Sequence, residues 1–361
     1  MASYEQALRL RPTDPDLHNN MGTALAAAGR LDEALASFQL ALWLKPDHAG
    51  AHWHRALTLL HKGKFAEGWQ EYEWRWKRKR SRPRKMAQPR WDGSSAPGQA
   101  ILLYCEQGLG DTIQFIRYAR LMKERVGSVI LECAQPLIPL LSTCAGIDLC
   151  VPAGEPMPAH DVQAPLLSLP SLLQATKPVP MDGPYLTADP DRVCSWRREL
   201  ERCAGFKIGI SWQGNPKHRW DRHRSFALRH FLELSQLEGV QLFSLQKGHG
   251  MEQVVDFPAR ERLVDLGSRL DERGGLSDVA AVIELLDLVI TCDSSLAHLA
   301  GALGRPVWLA IAFQSDWRWL VDRMDSLWYP TARLFRQQER GNWVQVFSRI
   351  GAQAREIVRV K

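Results

Sequence analysis

From Ile101 to Ala312 short apolar runs alternate with helix-like stretches, and this alternation constrains the fold more than any other feature. ILLYC, SVILEC, DLCV and APLLSL form a first series, with helices predicted over about 111–125 and at PLIPLLSTC, closing near Tyr185. A second series opens at FKIGISW (206–212) and runs through a helix over 228–237, VQLFSLQ, LVDLG, a helix over 276–286, DLVITCD, a helix over 295–303 and PVWLAIA. Short apolar strands separated by helices indicate parallel sheets covered on both faces. The prediction is an α/β fold with two facing, doubly wound, Rossmann-like domains over 100–190 and 205–340, followed by an amphipathic helix within 341–361. Ligands of such sheets bind beyond the carboxyl ends of the strands. The loops EQGLGD, WQGNPKHRWDRHRS, QKGHG and CDSSLAH are therefore expected to line one cleft.

The N-terminal stretch follows a different rhythm. Pro12 and Pro46, Ala7 and Ala41, and the aromatic set Tyr4, Phe38 and Tyr72 all recur at one fixed spacing. Gly22, Ala34, Phe38, Ala41 and Pro46 fall on the small, aromatic and proline positions of a tetratricopeptide repeat, whose period this spacing matches. Residues 1–80 should thus be all-α, with one full repeat (about 15–48) between a half repeat and a degenerate one (about 49–80). A free-standing array needs about three repeats to bury a continuous core. This one is expected to lean on the next domain or to continue repeats upstream. Trp69, Tyr72 and Trp76 share one helix face and read as cement against the following domain rather than as a binding stripe.

Charge is concentrated at the end of this segment. Lys62 to Arg90 carries 11 basic and 3 acidic residues, so the rest of a chain of formal net charge +6 is slightly acidic. Pro83 and Pro89 break the helix there, making 81–99 a basic linker. It reads as an exposed hinge, with residues 75–90 also suited to an anionic lipid surface or an acidic partner. No nucleic-acid-binding module accompanies it. The apolar runs fall short of the ~20 residues a spanning helix needs, and the N-terminus lacks the pattern of a signal peptide. Seven cysteines without a C-x-x-C pair fit reduced thiols. These features predict a cytoplasmic protein, peripheral to the membrane at most.

Two motifs carry the chemistry. In CEQGLGDTIQF the glycine pair Gly108 and Gly110 follows a strand, as in a dinucleotide fingerprint, but Ile113 stands where the third glycine belongs and Asp111 follows directly. A carboxylate there would repel a pyrophosphate, yet it can take a proton from an attacking hydroxyl. Asp111 is accordingly the candidate base, its alternative being a helix cap, in a loop of Glu106, Gln107, Gly108 and Gly110 whose glycines admit close approach of the attacking group. In DLVITCDSSLAHLAGALGRPV a buried strand turns at Asp293, Ser294 and Ser295 into a helix bearing His298 one turn on. Free first-turn amides and hydroxyls there suit a diphosphate, or simply form an N-cap.

Taken with the repeats, EGWQEYEWRW, WDG, SWQGNP, SLQKG and DWRW, these two motifs resemble the heptosyltransferase-like group of glycosyltransferases, of GT-B fold and family 9 type, in its bacterial repeat-containing form. The resemblance implies metal-independent transfer from a nucleotide-sugar, held mainly by the C-terminal domain, to an acceptor on the N-terminal one. Asp293, Ser294, Ser295, His298, Lys247, Arg224, Gln213 and Asn215 are the donor-binding candidates, with Lys217 and Arg222 as further cations. A metal would call for an Asp-x-Asp at the cleft, but Asp14-Pro15-Asp16 falls in a repeat turn and Asp189-Pro190-Asp191 between domains. No metal or other cofactor is expected beyond the nucleotide-sugar co-substrate. The acceptor would be a protein or glycan hydroxyl brought by the repeats. The competing reading is a repeat-bearing adaptor that binds a nucleotide without transferring. His218 and His223 have no partner legible in the sequence.

Overall fold

The computed structural model describes residues 1–78, 84–179, 183–267, 269–270 and 276–360. The chain divides into two compact units. The first comprises Met1–Gly93 with the segments Ser168–Val179 and Gln314–Arg323; the second comprises Ser94–Leu167, Pro180–Phe313 and Met324–Lys361.

The first unit is helical: α1 (Ala2–Leu10), α2 (Pro15–Ala27), α3 (Leu31–Leu44), α4 (Ala49–His61) and α5 (Phe65–Tyr72). Its repeat has a physical signature at each turn. Small residues let the paired helices touch: a Cβ on Gly22 would lie 2.5 Å from the Phe38 ring, and one on Gly68 would lie 2.7 Å from Leu60. Phe38 and Tyr72, one period apart, are both buried. His18 Nε2 bonds the Pro12 carbonyl at 2.7 Å, and His52 Nε2 bonds the Pro46 carbonyl at 2.8 Å, so the turn bond recurs with the same period. Asp14 caps α2 with Pro15 in its first turn.

Trp69 and Tyr72 are buried as the sequence predicts, and Trp69 packs edge-on to Trp317 at 5.3 Å. What Trp69 cements to the repeats is the segment 314–323, held also by His61 Nε2 against Ser315 Oγ (3.2 Å) and the Leu320 carbonyl (3.1 Å), while Tyr72 packs on Trp53 and Trp69. The ends of the basic stretch differ from the expected exposed hinge. Arg75 is buried, bonded to Glu73 at 2.6 Å and to Ser168 Oγ at 2.7 Å, while Arg90 reaches the other oxygen of Glu73 at 2.5 Å. Burial alone would raise the Glu73 carboxyl, but the two guanidinium groups hold it below its usual range. Residues 79–83 of the linker lie outside the described residues.

The second unit holds two parallel sheets. The first, in the order β3-β2-β1-β4, consists of β1 (Ala96–Tyr104), β2 (Val126–Cys133), β3 (Leu149–Pro152) and β4 (Val162–Pro165). The second, in the order β10-β9-β8-β5-β6-β7, consists of β5 (Phe206–Ser211), β6 (Val240–Ser244), β7 (Leu263–Asp265), β8 (Leu288–Cys292), β9 (Val307–Ile311) and β10 (Ala332–Arg336). Read from the opposite edge, this is the doubly wound 3-2-1-4-5-6 order. β8 and β9 are buried along their whole length, which explains their unbroken apolar sequence. The helices that position the site are α6 (Leu109–Phe115), α7 (Pro190–Leu200), α8 (Ser277–Leu285), α9 (Ser295–Ala302) and α10 (Trp343–Val360).

Three local expectations change. The helix expected over 111–125 starts at Leu109 and gives way after Phe115 to a 3-10 turn and a short helix, Ala119–Lys123. The strand expected at APLLSL ends at Pro165, since Leu166–Ser168 form a 3-10 turn. β10, which carries two arginines, Arg333 and Arg336, is an addition to the expected strands. It pairs with β9 along its whole length, with Ala332, Leu334 and Phe335 buried.

Candidate functional site

The winding of each sheet reverses once, and both motifs stand at a reversal. β5 lies beside β8 although β6 and β7 intervene in sequence, and β1 lies beside β4 in the same way. Crevices open at the carboxyl ends of strands at such points. The loops after β5 and β8 carry Gln213 to Arg224 and Asp293 to His298, and the loop after β1 carries Glu106 to Asp111.

One side chain ties the β5 and β6 loops together. Gln246 is buried, and its Oε1 accepts from Ser211 Oγ (2.9 Å) and from the Trp212 and Gln213 amides (both 3.0 Å). Its Nε2 donates to the carbonyls of Gln213 (3.0 Å) and His249 (2.8 Å). Gln213 Oε1 is left buried without a hydrogen-bond partner among the described residues, an acceptor whose desolvation a ligand donor would offset. Asn215 folds back on its own loop, accepting the Lys217 amide at 3.0 Å, and Lys247 Nζ donates to the Leu270 carbonyl at 3.2 Å. His218 Nδ1 accepts the Trp220 amide at 3.4 Å, and Arg222 Nε donates to His223 Nε2 at 3.1 Å, so both histidines find local partners.

At the β8 turn Ser294 is the N-cap of α9, its Oγ accepting the Leu296 amide at 3.4 Å. Arg224 Nη1 donates to the Asp293 carbonyl at 2.7 Å, while its Nε donates to buried Asp221 at 3.1 Å. A guanidinium thus sits on the turn that opens α9. Cys292 beneath it and Cys105 before the glycine loop are both pushed up to about 12 by burial, so neither offers a thiolate at neutral pH.

The glycine loop meets this turn directly. Asp111 Oδ2 accepts the Gly108 amide at 2.9 Å, closing the first turn of α6. Capping geometry, the alternative use of Asp111, is therefore present. A Cβ on Gly110 would lie 2.7 Å from His298 Cδ2 and 3.4 Å from both His298 Nε2 and Ser295 Cα. The space at Gly110 is taken by α9 rather than left open for an acceptor. The same approach sets the Asp111 turn against Ser295 and His298. His298 is buried, with Nδ1 2.9 Å from the Tyr329 hydroxyl.

The sequence reading does not single out Gln246, Asp221, Tyr329 or the buried Arg117. Arg117 donates to the carbonyls of Gln114 and Trp328 (both 2.8 Å) and to Tyr185 OH at 3.1 Å. Glutamine in SLQKG and tyrosine in LWYP carry no spacing that marks them, and only the sheet order reveals what they touch. Both Asp-Pro-Asp triplets prove to be helix starts: Asp189, like Asp14, caps its helix with proline next, here α7. Among the described residues no cluster of three or more His, Cys, Asp and Glu is arranged to hold a metal ion.

Both the sequence and the fold have known relatives. Residues 213–311 match the model of glycosyltransferase family 9 (heptosyltransferase), and residues 3–36 match the tetratricopeptide repeat. The chain joins tetratricopeptide repeats to a region like glycosyltransferase family 9. This family 9-like region contains every donor-side candidate, from Gln213 to His298, whereas the glycine loop lies outside the matched residues. Protein FlbA of Caulobacter vibrioides is 28% identical over 381 residues, an alignment spanning 98% of this chain and 63% of FlbA. The chain thus spans less than two thirds of that relative's length. In fold, the repeat-bearing family 9-like chain is similar to the ADP-heptose lps heptosyltransferase II of E. coli (TM-score 0.51, 14% identity, 72% of this chain and 99% of that one). It is likewise similar to a family 9 glycosyl transferase of Veillonella parvula (TM-score 0.55, 10% identity, 74% and 99%). Both likenesses are of fold.

Proposed function

We propose that the chain moves a sugar from a nucleotide-sugar donor to an acceptor hydroxyl, with inversion and without a metal. The observation that carries this reading is the abutment of α6 on α9 at Gly110, which sets a carboxylate-bearing turn against the Asp293–His298 turn. A nucleoside diphosphate on α9 would meet the positive helix end, with Arg224 adjoining the turn. That guanidinium and the helix end would stabilise the departing diphosphate in place of a metal. Gln213 Oε1 would accept a donor group of the bound nucleotide. Asp111 would take the proton of the acceptor hydroxyl as its oxygen attacks the anomeric carbon opposite the leaving diphosphate, which inverts configuration.

The class of donor is carried over from the family 9 likeness and from the ADP-heptose enzyme of E. coli; the sugar is not. The acceptor is a protein or glycan hydroxyl, and the repeats are the unit that recruits it. No described helix is long and apolar enough to cross a membrane. We place the protein in the cytoplasm, with any contact between residues 75–90 and an anionic lipid face made through exposed side chains such as Lys77 and Lys85, since Arg75 and Arg90 are committed to Glu73.

The test is Asp111→Asn in the full chain, assayed with EDTA present after a screen of UDP, GDP, ADP and CMP and their sugars. Asparagine keeps the bond to Gly108 but is not basic. Transfer should fall by about 10²-fold or more, the scale of general-base catalysis, with nucleotide affinity almost unchanged. Near-normal turnover would move the base elsewhere, and lost nucleotide binding would put the donor on the glycine loop. Nucleotide binding by the unaltered chain with no turnover of any sugar would favour the adaptor.

A further inference from the structure

His298 is held from behind by a chain of side chains that the proposed chemistry does not itself use. Tyr329 OH lies 2.9 Å from His298 Nδ1, with the two rings nearly edge to face (5.7 Å, 60°). The Tyr329 ring is itself seated in a notch of α9, because a Cβ on Gly301 would lie 2.3 Å from its Cδ1. The Arg117 guanidinium lies 4.7 Å from the centre of that ring and 4.8 Å from the Tyr185 ring. Arg117 also donates to Tyr185 OH, whose own proton goes to the Ile113 carbonyl at 2.9 Å. Every member of this chain is buried.

Such a stack restrains the Tyr329 ring in position and tilt, and so holds its hydroxyl oxygen beside His298 Nδ1. With Nδ1 committed to Tyr329, the imidazole turns its Cδ2 and Nε2 edge to Gly110 and hence to the glycine loop. The second nitrogen of a histidine decides which tautomer the first presents. We infer that Tyr329 is a positioning residue: its hydroxyl fixes the ring orientation and tautomer of His298, so that Nε2 is the nitrogen presented where α6 meets α9. Arg117 bonds the Gln114 carbonyl and Tyr185 the Ile113 carbonyl, both in α6, so the two tie this orientation to the helix that leaves the glycine loop. The kinetic consequence rests on the proposed sugar transfer; the positioning itself does not.

The experiment compares Tyr329→Phe with the unaltered chain, in the full-length protein with 15N-labelled histidine. Phenylalanine keeps the ring on Gly301 and beneath Arg117 and removes only the hydroxyl. His298→Gln serves to assign the His298 signals. The unaltered chain should show the two-bond ring pattern of a single tautomer for His298, and Y329F should show mixed tautomers at an unchanged melting temperature. In transfer assays kcat should fall roughly 10-fold, the effect of one lost hydrogen bond, with the donor KM held within about 2-fold. An unchanged His298 pattern in Y329F overturns the inference whatever the kinetics. A changed pattern with full kcat overturns its bearing on transfer. A changed pattern in a protein that turns over no donor supports the positioning and defeats the transfer reading. If Y329F melts early, Arg117→Lys provides the second test. It keeps the charge but loses the planar stack, and a His298 pattern that stays single-tautomer in it overturns the relay.

Discussion

Gly110 shows how one missing atom can decide a site. The residue lies in a glycine pair of the kind that nucleotide-binding turns use, but the structure gives it a different task, that of letting α9 come close enough for His298 to meet the turn of Asp111. His298 cannot retreat easily from an added methyl, because Tyr329 holds its far nitrogen and the ring is buried. Gly110→Ala should therefore destabilise the chain by about 1–3 kcal/mol, the usual range for overpacking, and reduce transfer by more than that loss of stability explains. Urea unfolding and turnover measured on the same preparation would check it. An unaltered midpoint together with full activity would mean that α6 and α9 do not press on each other in solution.

Among elements, the connection between α5 and β1 departs most from its sequence. A run of basic residues suggests repulsion and exposure, yet Arg75 and Arg90 grip a single carboxylate, Glu73, and share Ser168 Oγ. The sign of the pH effect follows from the lowered Glu73 carboxyl. Its folded value lies below the ordinary 4.5, so the stabilisation is present above 4.5 and is lost as the pH falls through the folded value. Thermal melts of the unaltered chain should lose part of the repeat unit's stability below about pH 4.5, and Glu73→Gln should lower it at neutral pH and flatten that loss. A mutant curve parallel to that of the unaltered chain would show that other carboxylates govern acid unfolding. Gln246 plays the comparable part in the second sheet, where one amide continues the bonding of β5 and β6 beyond the strand ends.

For the whole molecule, the chain lends the repeats Gln314–Arg323, the segment that follows β9. Trp69 on Trp317 is the central contact of that loan. Trp69→Ala should cost the repeat unit about 3–5 kcal/mol, seen as an earlier transition in calorimetry. If the repeats only recruit acceptor, nucleotide affinity should be unchanged while transfer to the natural acceptor falls. A matching loss of nucleotide affinity would instead show that the segment leaving β9 helps to shape the donor side.

Much of this was legible in the sequence because it is periodic or local. A period of tetratricopeptide length must be stacked helix pairs, unbroken apolar runs between helices must be buried parallel strands, and Asp-Pro at a helix start caps it wherever it occurs. Asp111, Ser294 and His298 could be picked out for the same reason, since each stands at a fixed offset from a strand end. What no offset encodes is which strand end faces which. Tyr329 beneath His298, Arg117 beneath Tyr329, Glu73 reached by Arg90 and Trp317 against the repeats are pairings between separate stretches of the chain. They depend on the order of the strands and the closeness of two helix ends. A sequence names the groups that can do chemistry; only the packing of the chain on itself decides which of them meet.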